Sequence, residues 1–380
     1  MQLHRLAWTI GATSLLLLGA YACGGDDDDT NNDTPDSGGT PDTGSVDRPD
    51  TGTDTPDTGS PTDAGDAGID SGLGLLCTGN PLSPDGGINT TNQDGGVFTI
   101  ATGEFPYGPQ YIDENGGQLI FSESDNHIVV STGPDGGTGK TNVLTDTNQN
   151  YGQTDYAAGF LYTVSQTTAG GGILFKTPAD GGAATSIATW SRTQLNGPNG
   201  IAVGKNGIGY ITDPSFLVNP VGDPPGTGVY SVRIADGGLT NIENRVDRPV
   251  GIALNADQTR LYVSYQGKQL KYWTIDPATG AASGVTSFQL TPRFNPGGIA
   301  VDQGGNVWVA EYDGDSGQRG VIEVFNASGT RLWATVFIPG RRPNGIAFGG
   351  ADRTKVFVTT DSADGTSDVY SFSTRCPGTL

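Results

Sequence analysis

The sequence predicts an all-β chain, a six-bladed β-propeller behind a signal peptide and a disordered acidic linker, and three observations predict it. A segment recurs six times from Gly108 to the C-terminus, its copies are spaced by 44 to 51 residues, and most copies carry two hairpin-turn signals. That spacing is the length of one four-stranded blade.

The clearest copies are GPNGIAVGKNGIGYITD (Gly197 to Asp213), RPVGIALNADQTRLYVSY (Arg248 to Tyr265), NPGGIAVDQGGNVWVAEY (Asn295 to Tyr312) and RPNGIAFGGADRTKVFVTT (Arg342 to Thr360). Two weaker copies begin at Gly108 and Thr154, and the spacing takes Tyr111, Ala157, Ile201, Ile252, Ile299 and Ile346 as equivalent. Apolar and small residues alternate around turns such as Asp302 to Gly305, and no stretch holds a helical period. Farther out come Asp135-Gly136, Asp180-Gly181, Asp236-Gly237, Pro277 to Gly280 and Asn326 to Gly329. Asp-Gly supplies the positive φ that a tight hairpin turn demands. Two hairpins per unit make one blade.

The first 22 residues read as an export signal: Arg5, an apolar run including Leu15 to Leu18, then Ala20-Tyr21-Ala22 before Cys23. Small residues followed directly by cysteine resemble a bacterial lipobox, so Cys23 is expected to become the lipidated first residue. If Cys23 is not acylated, the same site releases a secreted chain. Residues 23–72 form the linker, with reiterated Pro-Asp-Thr/Ser-Gly units. Gly24 to Gly72 holds fourteen Asp and one Arg, so 14 − 1 = 13 of the 21 net negative charges sit there. Such a segment buries little and extends by self-repulsion. Its acidity argues against a nucleic-acid partner.

Residues 73–380 are the propeller, with Val97 to Thr102 expected to complete the blade that begins at Pro343. Cys77 and Cys376 bracket it. In an oxidising compartment two such thiols tend to pair, and the first and last segments of a propeller meet at its closing blade. Metal ligation by the two lacks the paired spacing and the further ligands. Histidine is nearly absent, with His127 in a turn of the first blade once His4 leaves with the signal. Histidine-based hydrolysis or metal binding has at most one to use. No P-loop, dinucleotide fingerprint or zinc motif appears.

The residues where inner strands begin converge on one channel mouth, and here the chain resembles a known family. LNGPNGIAVGKNGIGYITDPSF (Leu195 to Phe216) resembles the third blade of bacterial gluconolactonases, and IAFGGADRTKVFVTT (Ile346 to Thr360) the last blade of the same superfamily, which includes regucalcin. GPQYIDENGGQLIFSES (Gly108 to Ser124) is similar to its first blade and DRPVGIALNADQTRLYVSY (Asp247 to Tyr265) to its fourth. The resemblance implies a divalent metal, often calcium, held by a Glu of blade one, an Asn of blade four and an Asp of blade five. The metal activates water against a lactone carbonyl, with the Asp as base. At those positions this chain has Tyr107, Val250 and Gly297.

Asn199 matches the blade-three Asn that the resemblance places toward metal or substrate, and Asn344 adds a second amide. Glu104, or a loop acid such as Asp155, would have to complete a rebuilt site. The plainer expectation is that Asn199 and Asn344 shape turns and Tyr107 plugs the channel. Asp213, Asp276, Asp302 and Asp361 are read as turn acids, and Trp190, Trp273, Trp308 and Trp333 as packing between blades.

The chain is therefore expected to be a binding or scaffold module with a degenerate metal site and no cofactor, leaning away from catalysis. The alternative is a lactone hydrolase using calcium or another divalent cation, and a purely structural envelope protein is a third reading. Expected partners are a membrane through Cys23 and a small-molecule or sugar-derived ligand or an envelope protein. A monomer in the bacterial cell envelope is expected.

Overall fold

The structure, a computed structural model, describes residues 98–379 except 101–105, 114–115, 124–127, 135–138, 146–148, 215–226, 245, 291–293, 314–318, 331, 340–341 and 362–366. The signal segment, Cys23, the linker, Cys77, Glu104 and His127 lie outside the described residues.

Alternating apolar residues and Gly-marked turns give strands throughout. After β1 (Phe98–Ile100), blade one is β2 (Pro106–Ile112), β3 (Gln118–Glu123), β4 (Ile128–Thr132) and β5 (Thr141–Thr145). Blade two is β6 (Gln149–Ala157), β7 (Phe160–Thr167), β8 (Gly172–Pro178) and β9 (Thr185–Trp190). Blade three is β10 (Gly200–Val203), β11 (Ile208–Asp213), β12 (Gly228–Arg233) and β13 (Gly238–Asn244). Blade four is β14 (Pro249–Leu254), β15 (Arg260–Tyr265), β16 (Gln269–Ile275) and β17 (Ala282–Gln289). Blade five is β18 (Phe294–Val301), β19 (Val307–Asp313), β20 (Arg319–Phe325) and β21 (Leu332–Pro339). Blade six is β22 (Arg342–Gly349), β23 (Lys355–Asp361) and β24 (Ser367–Ser373), with β1 as its fourth strand.

Among the described residues these make six four-stranded antiparallel sheets. The ring closes as the sequence predicts. Phe98 pairs with Val369 and Ile100 with Ser367, so the N-terminal strand is hydrogen-bonded onto the last blade.

Blades are held to one another by apolar layers and by aromatic donors. Trp308 is fully buried in blade five and meets Phe348 of blade six edge-on, ring centroids 5.4 Å apart. Burying an apolar side chain of this kind stabilises by roughly 1.5–3 kcal/mol. Tyr111 stacks on Phe357 at 5.6 Å and joins blade one to blade six. The Trp190 indole N–H donates to Gly237 O at 3.1 Å, Tyr210 Oη to Gly280 O at 2.9 Å and Tyr262 Oη to Ala327 O at 2.8 Å. Each bond runs from one blade to an outer hairpin turn of the next, so those turns are clamped by their neighbours. Trp190, Trp273 and Trp308 are buried in such layers, and Trp333 is half-buried.

At the end away from the mouth, the C-terminal tail crosses from blade six to blade five. Gln303 N–H donates to Pro377 O at 2.8 Å, and Thr379 N–H to Val301 O at 3.1 Å. Cys376 is fully buried in this tail and accepts from Gly304 N–H at 3.3 Å.

Candidate functional site at the channel mouth

In five of the six blades the inner strand enters the channel as proline, a mouth residue and glycine: Pro106-Tyr107-Gly108, Pro198-Asn199-Gly200, Pro249-Val250-Gly251, Pro296-Gly297-Gly298 and Pro343-Asn344-Gly345. Proline fixes φ and has no N–H to donate, which suits the first residue of a strand. A register shift follows directly in blades one, four, five and six, between Tyr107 and Gln110, Pro249 and Ile252, Pro296 and Ile299, and Pro343 and Gly345.

The glycines let six strands crowd together. A Cβ on Gly152 would lie 2.3 Å from Asn199 O, one on Gly251 2.4 Å from Gly297 O, and one on Gly345 2.3 Å from Pro109 Cδ. The blade-to-blade steps then receive hydroxyls from the second strands. Ser122 Oγ donates to Gly152 O at 2.5 Å, Thr212 Oγ1 to Val250 O at 2.8 Å and Ser264 Oγ to Gly297 O at 2.7 Å. The mouth is thus a rigid collar.

This collar corrects the register of the two weak repeats. Gly108 abuts Gln153 and Gly152 abuts Asn199, which sets Gln153 and Gly108 level with Gly200. Pro109 and Thr154, rather than Tyr111 and Ala157, therefore stand level with Ile201. Spacings become 45, 47, 51, 47 and 47 residues, more even than the sequence reading gave.

Tyr107 reaches from blade one to blade three and donates its phenol to Asn199 Oδ1 at 2.5 Å. Burial raises the phenol well above its usual range, as does nearby Tyr312, against the Asn199 hydrogen bond. Asn199 O accepts from Gln153 N–H at 2.6 Å. Asn344 bridges blades six and one: its Nδ2 donates to Pro106 O at 2.9 Å, and its Oδ1 accepts from Thr359 Oγ1 at 2.7 Å. Both amides are thus hydrogen-bonded within the collar. Val250 and Gly297 contribute buried backbone.

Tyr107, Val250, Gly297 and Asn344 line a mouth cavity of about 430 Å3 together with residues that sequence reasoning missed: Arg248, Gln266, Tyr312, Arg342 and Asp361. Asp361, read from the sequence as a turn acid, also lines the mouth, and the turn after it at 362–366 lies outside the described residues. Its carboxyl is raised by burial, against the pull of Arg342, and its buried Oδ1 has no hydrogen-bond partner. The signal for the arginines was present as Arg-Pro-x-Gly, which occurs at the entry of blades four and six.

Asp155 is no loop acid, because it lies on β6 and faces the far end of the channel. It accepts from Val203 N–H at 2.6 Å and Tyr156 N–H at 2.8 Å, and burial pushes it up to about 6. Asp213 and Asp302 do serve turns, Asp213 by accepting from Asn196 and Gly197 N–H and Asp302 from Asn306 and Trp308. Asp276 accepts from Ala278 N–H at 2.9 Å. Glu311, beside Tyr312 in sequence, is fully buried, and its carboxyl lies against that of Glu323. Burial, and then the Glu323 carboxylate, hold it well above the usual range.

A divalent cation wants several oxygen donors, carboxylates among them. Among the described residues the mouth offers one carboxylate, Asp361, in a lining that also holds Arg248 and Arg342, while the oxygens of Asn199 and Asn344 are already engaged. That set does not fit the cation. Among the described residues no cluster of three or more His, Cys, Asp or Glu side chains occurs anywhere.

A pentonolactonase, XacC, from Haloferax volcanii is 32% identical over 133 residues, 34% of this chain and 44% of that protein. The chain matches less than half the length of each of two curated relatives. A solved gluconolactonase from Xanthomonas campestris superposes with a TM-score of 0.58 at 23% identity, covering 72% of this chain and 89% of that one. A calcium-binding regucalcin from Agrobacterium tumefaciens gives 0.58 at 17% identity, covering 74% and 94%. These likenesses establish the fold. The sequence profile of the SMP-30/Gluconolactonase/LRE-like region matches residues 105–362, the span that carries all six inner strands from Tyr107 to Asn344, and the chain belongs to that family.

Proposed function

We propose that this chain is an exported, lipid-anchored binding module whose channel mouth holds a ligand without a metal. The observation that supports this most is the state of the two amides. Asn199 Oδ1 accepts from Tyr107 and Asn344 Oδ1 from Thr359, so both amide oxygens already serve to hold the collar. The collar keeps its shape through bonds among its own residues, and the adjoining cavity of about 430 Å3 is of ligand-pocket size. Cys23, placed directly after Ala20-Tyr21-Ala22, supports acylation, and the acidic linker would hold the propeller off the membrane. Cys77 and Cys376, the two cysteines that bracket the propeller, are its proposed disulfide pair.

The second reading is a lactone hydrolase, and the 32% identity to a pentonolactonase favours it. Fold and family alone do not carry an activity to a chain whose site has changed. Calcium titration by calorimetry separates the two readings. The binding module predicts no saturable calcium uptake by the propeller, and stoichiometric uptake lost in Asn199→Ala would favour the hydrolase.

A further inference from the structure

Three consecutive steps between blades share one device, and the step before them has an isoleucine in its place. Tyr210 on β11 pairs with Ala202 and Tyr262 on β15 with Ala253, and each phenol donates to a carbonyl in the outer hairpin of the next blade. Between blades two and three the Trp190 indole does the same. On β3 the matching residue is Ile120, which pairs with Gln110, the residue level with Ala202 and Ala253. Ile120 packs toward blade two beside Leu161 and Ala179, as Tyr210 packs toward blade four beside Ile252 and Leu261. It has no hydroxyl to give.

A cavity of about 420 Å3 lies at this step, between Ile120 and Leu161 and the outer turn of blade two, Pro178 to Gly182. Thr141 and Asn142 of β5 also line it and are exposed, so it is open to solvent on that side. Thr177 lines it from β8: directly across from Leu161, it shares that residue's face toward blade one. Thr177 is only 2% exposed, and its buried Oγ1 has no hydrogen-bond partner, an uncommon state for an interior hydroxyl. Residues 135–138, between the lining residues Pro134 and Gly139, lie outside the described residues.

We propose that this cavity binds a small phenol, its ring against Ile120 and Leu161 in the place that Tyr210 and Tyr262 fill at the later steps. Its hydroxyl donates to a backbone carbonyl of the Asp180 to Gly182 turn and accepts from Thr177 Oγ1. A phenol is the missing tyrosine side chain without its backbone. The wall is aliphatic at Ile120, Leu161 and Pro178 and polar at Thr177 and Asn142, which suits a ring with a single polar tip. The site is separate from the channel mouth and stands whether or not the mouth holds a ligand.

Calorimetric titration of the full chain with p-cresol, which is the tyrosine side chain itself, and with 4-methylanisole, its methyl ether, tests this. p-Cresol should bind saturably at one site at millimolar concentration, and 4-methylanisole, which has no proton to donate, at least about tenfold more weakly. Ile120→Tyr should occupy the place, weaken p-cresol at least about tenfold and raise the melting temperature of the chain without ligand. Thr177→Val, of the same shape, should weaken p-cresol about fivefold and leave 4-methylanisole unchanged. Absence of saturable p-cresol binding, equal affinity for the two probes, or p-cresol binding indifferent to both substitutions would overturn the proposal. If Ile120→Tyr fails to fold, Thr177→Val decides: weakened p-cresol with unchanged 4-methylanisole supports the site, and unchanged p-cresol removes it.

Discussion

The Tyr107 phenol donates a 2.5 Å hydrogen bond to Asn199 Oδ1 and so ties blade one to blade three across the channel mouth. Tyr107→Phe keeps the ring and strands the amide oxygen. Equilibrium unfolding should show a loss of about 1–3 kcal/mol, the usual range for a buried partner left unsatisfied. An unchanged midpoint would mean that the bond contributes nothing to the collar.

The glycine collar predicts a sharper loss. A Cβ at residue 251 meets the Gly297 carbonyl at 2.4 Å, and that backbone has a neighbour of its own in Asn344, so little can shift. Gly251→Ala should cost about 3 kcal/mol or more by denaturant titration. Gly159→Ala, with nothing within 4 Å of its Cβ but φ at +80°, should cost only about 1–2 kcal/mol.

Acid groups that are raised on folding set the pH dependence. Glu311 stays protonated in the folded chain well above the usual carboxylate range, and Asp155, Asp213 and Asp302 are pushed up to about 6, all chiefly by burial. Unfolded carboxyls titrate near pH ~4. The contribution of these groups is therefore fully present below about pH 4 and is lost as pH rises through the folded values, to about 6 for the aspartates and beyond that for Glu311. Glu311→Gln should raise the melting temperature at pH 8 relative to the parent and leave it nearly unchanged at pH 4. Equal shifts at both pH values would contradict the assignment.

The fold was legible because Pro/Gly-marked entries and Asp-Gly turns are local signals, repeated at a fixed spacing and read without knowing what lies opposite. Tyr107, Val250, Gly297, Asn199 and Asn344 were placed at one level for the same reason. The place of Asp361 on the mouth and of Asp155 on a strand depends on what faces them. Asp361 ends a second strand beside an arginine of its own blade's entry, and Asp155 lies on a strand whose repeat is too weak to fix its register. Glu311 gave no signal, since its burial beside Glu323 of the neighbouring strand is a tertiary fact.

The cysteines give a covalent test. Mass analysis without reduction should show two fewer hydrogens than the reduced chain, and opening the Cys77–Cys376 link should cost roughly 3–5 kcal/mol by loop-closure arguments. Alkylation of both thiols in the native protein would refute the pairing. Cys23→Ser should move the chain from the membrane fraction to the soluble one, whereas a soluble parent would show that Cys23 is not acylated.

Turnover of aldonolactones by the purified chain, with calcium, zinc or manganese added, tests the central claim most directly. The account predicts no metal-dependent hydrolysis, because among the described residues the mouth presents one carboxylate, two arginines and two amides whose oxygens are engaged. Metal-dependent turnover that Asn199→Ala abolishes would contradict it and make the chain a lactone hydrolase.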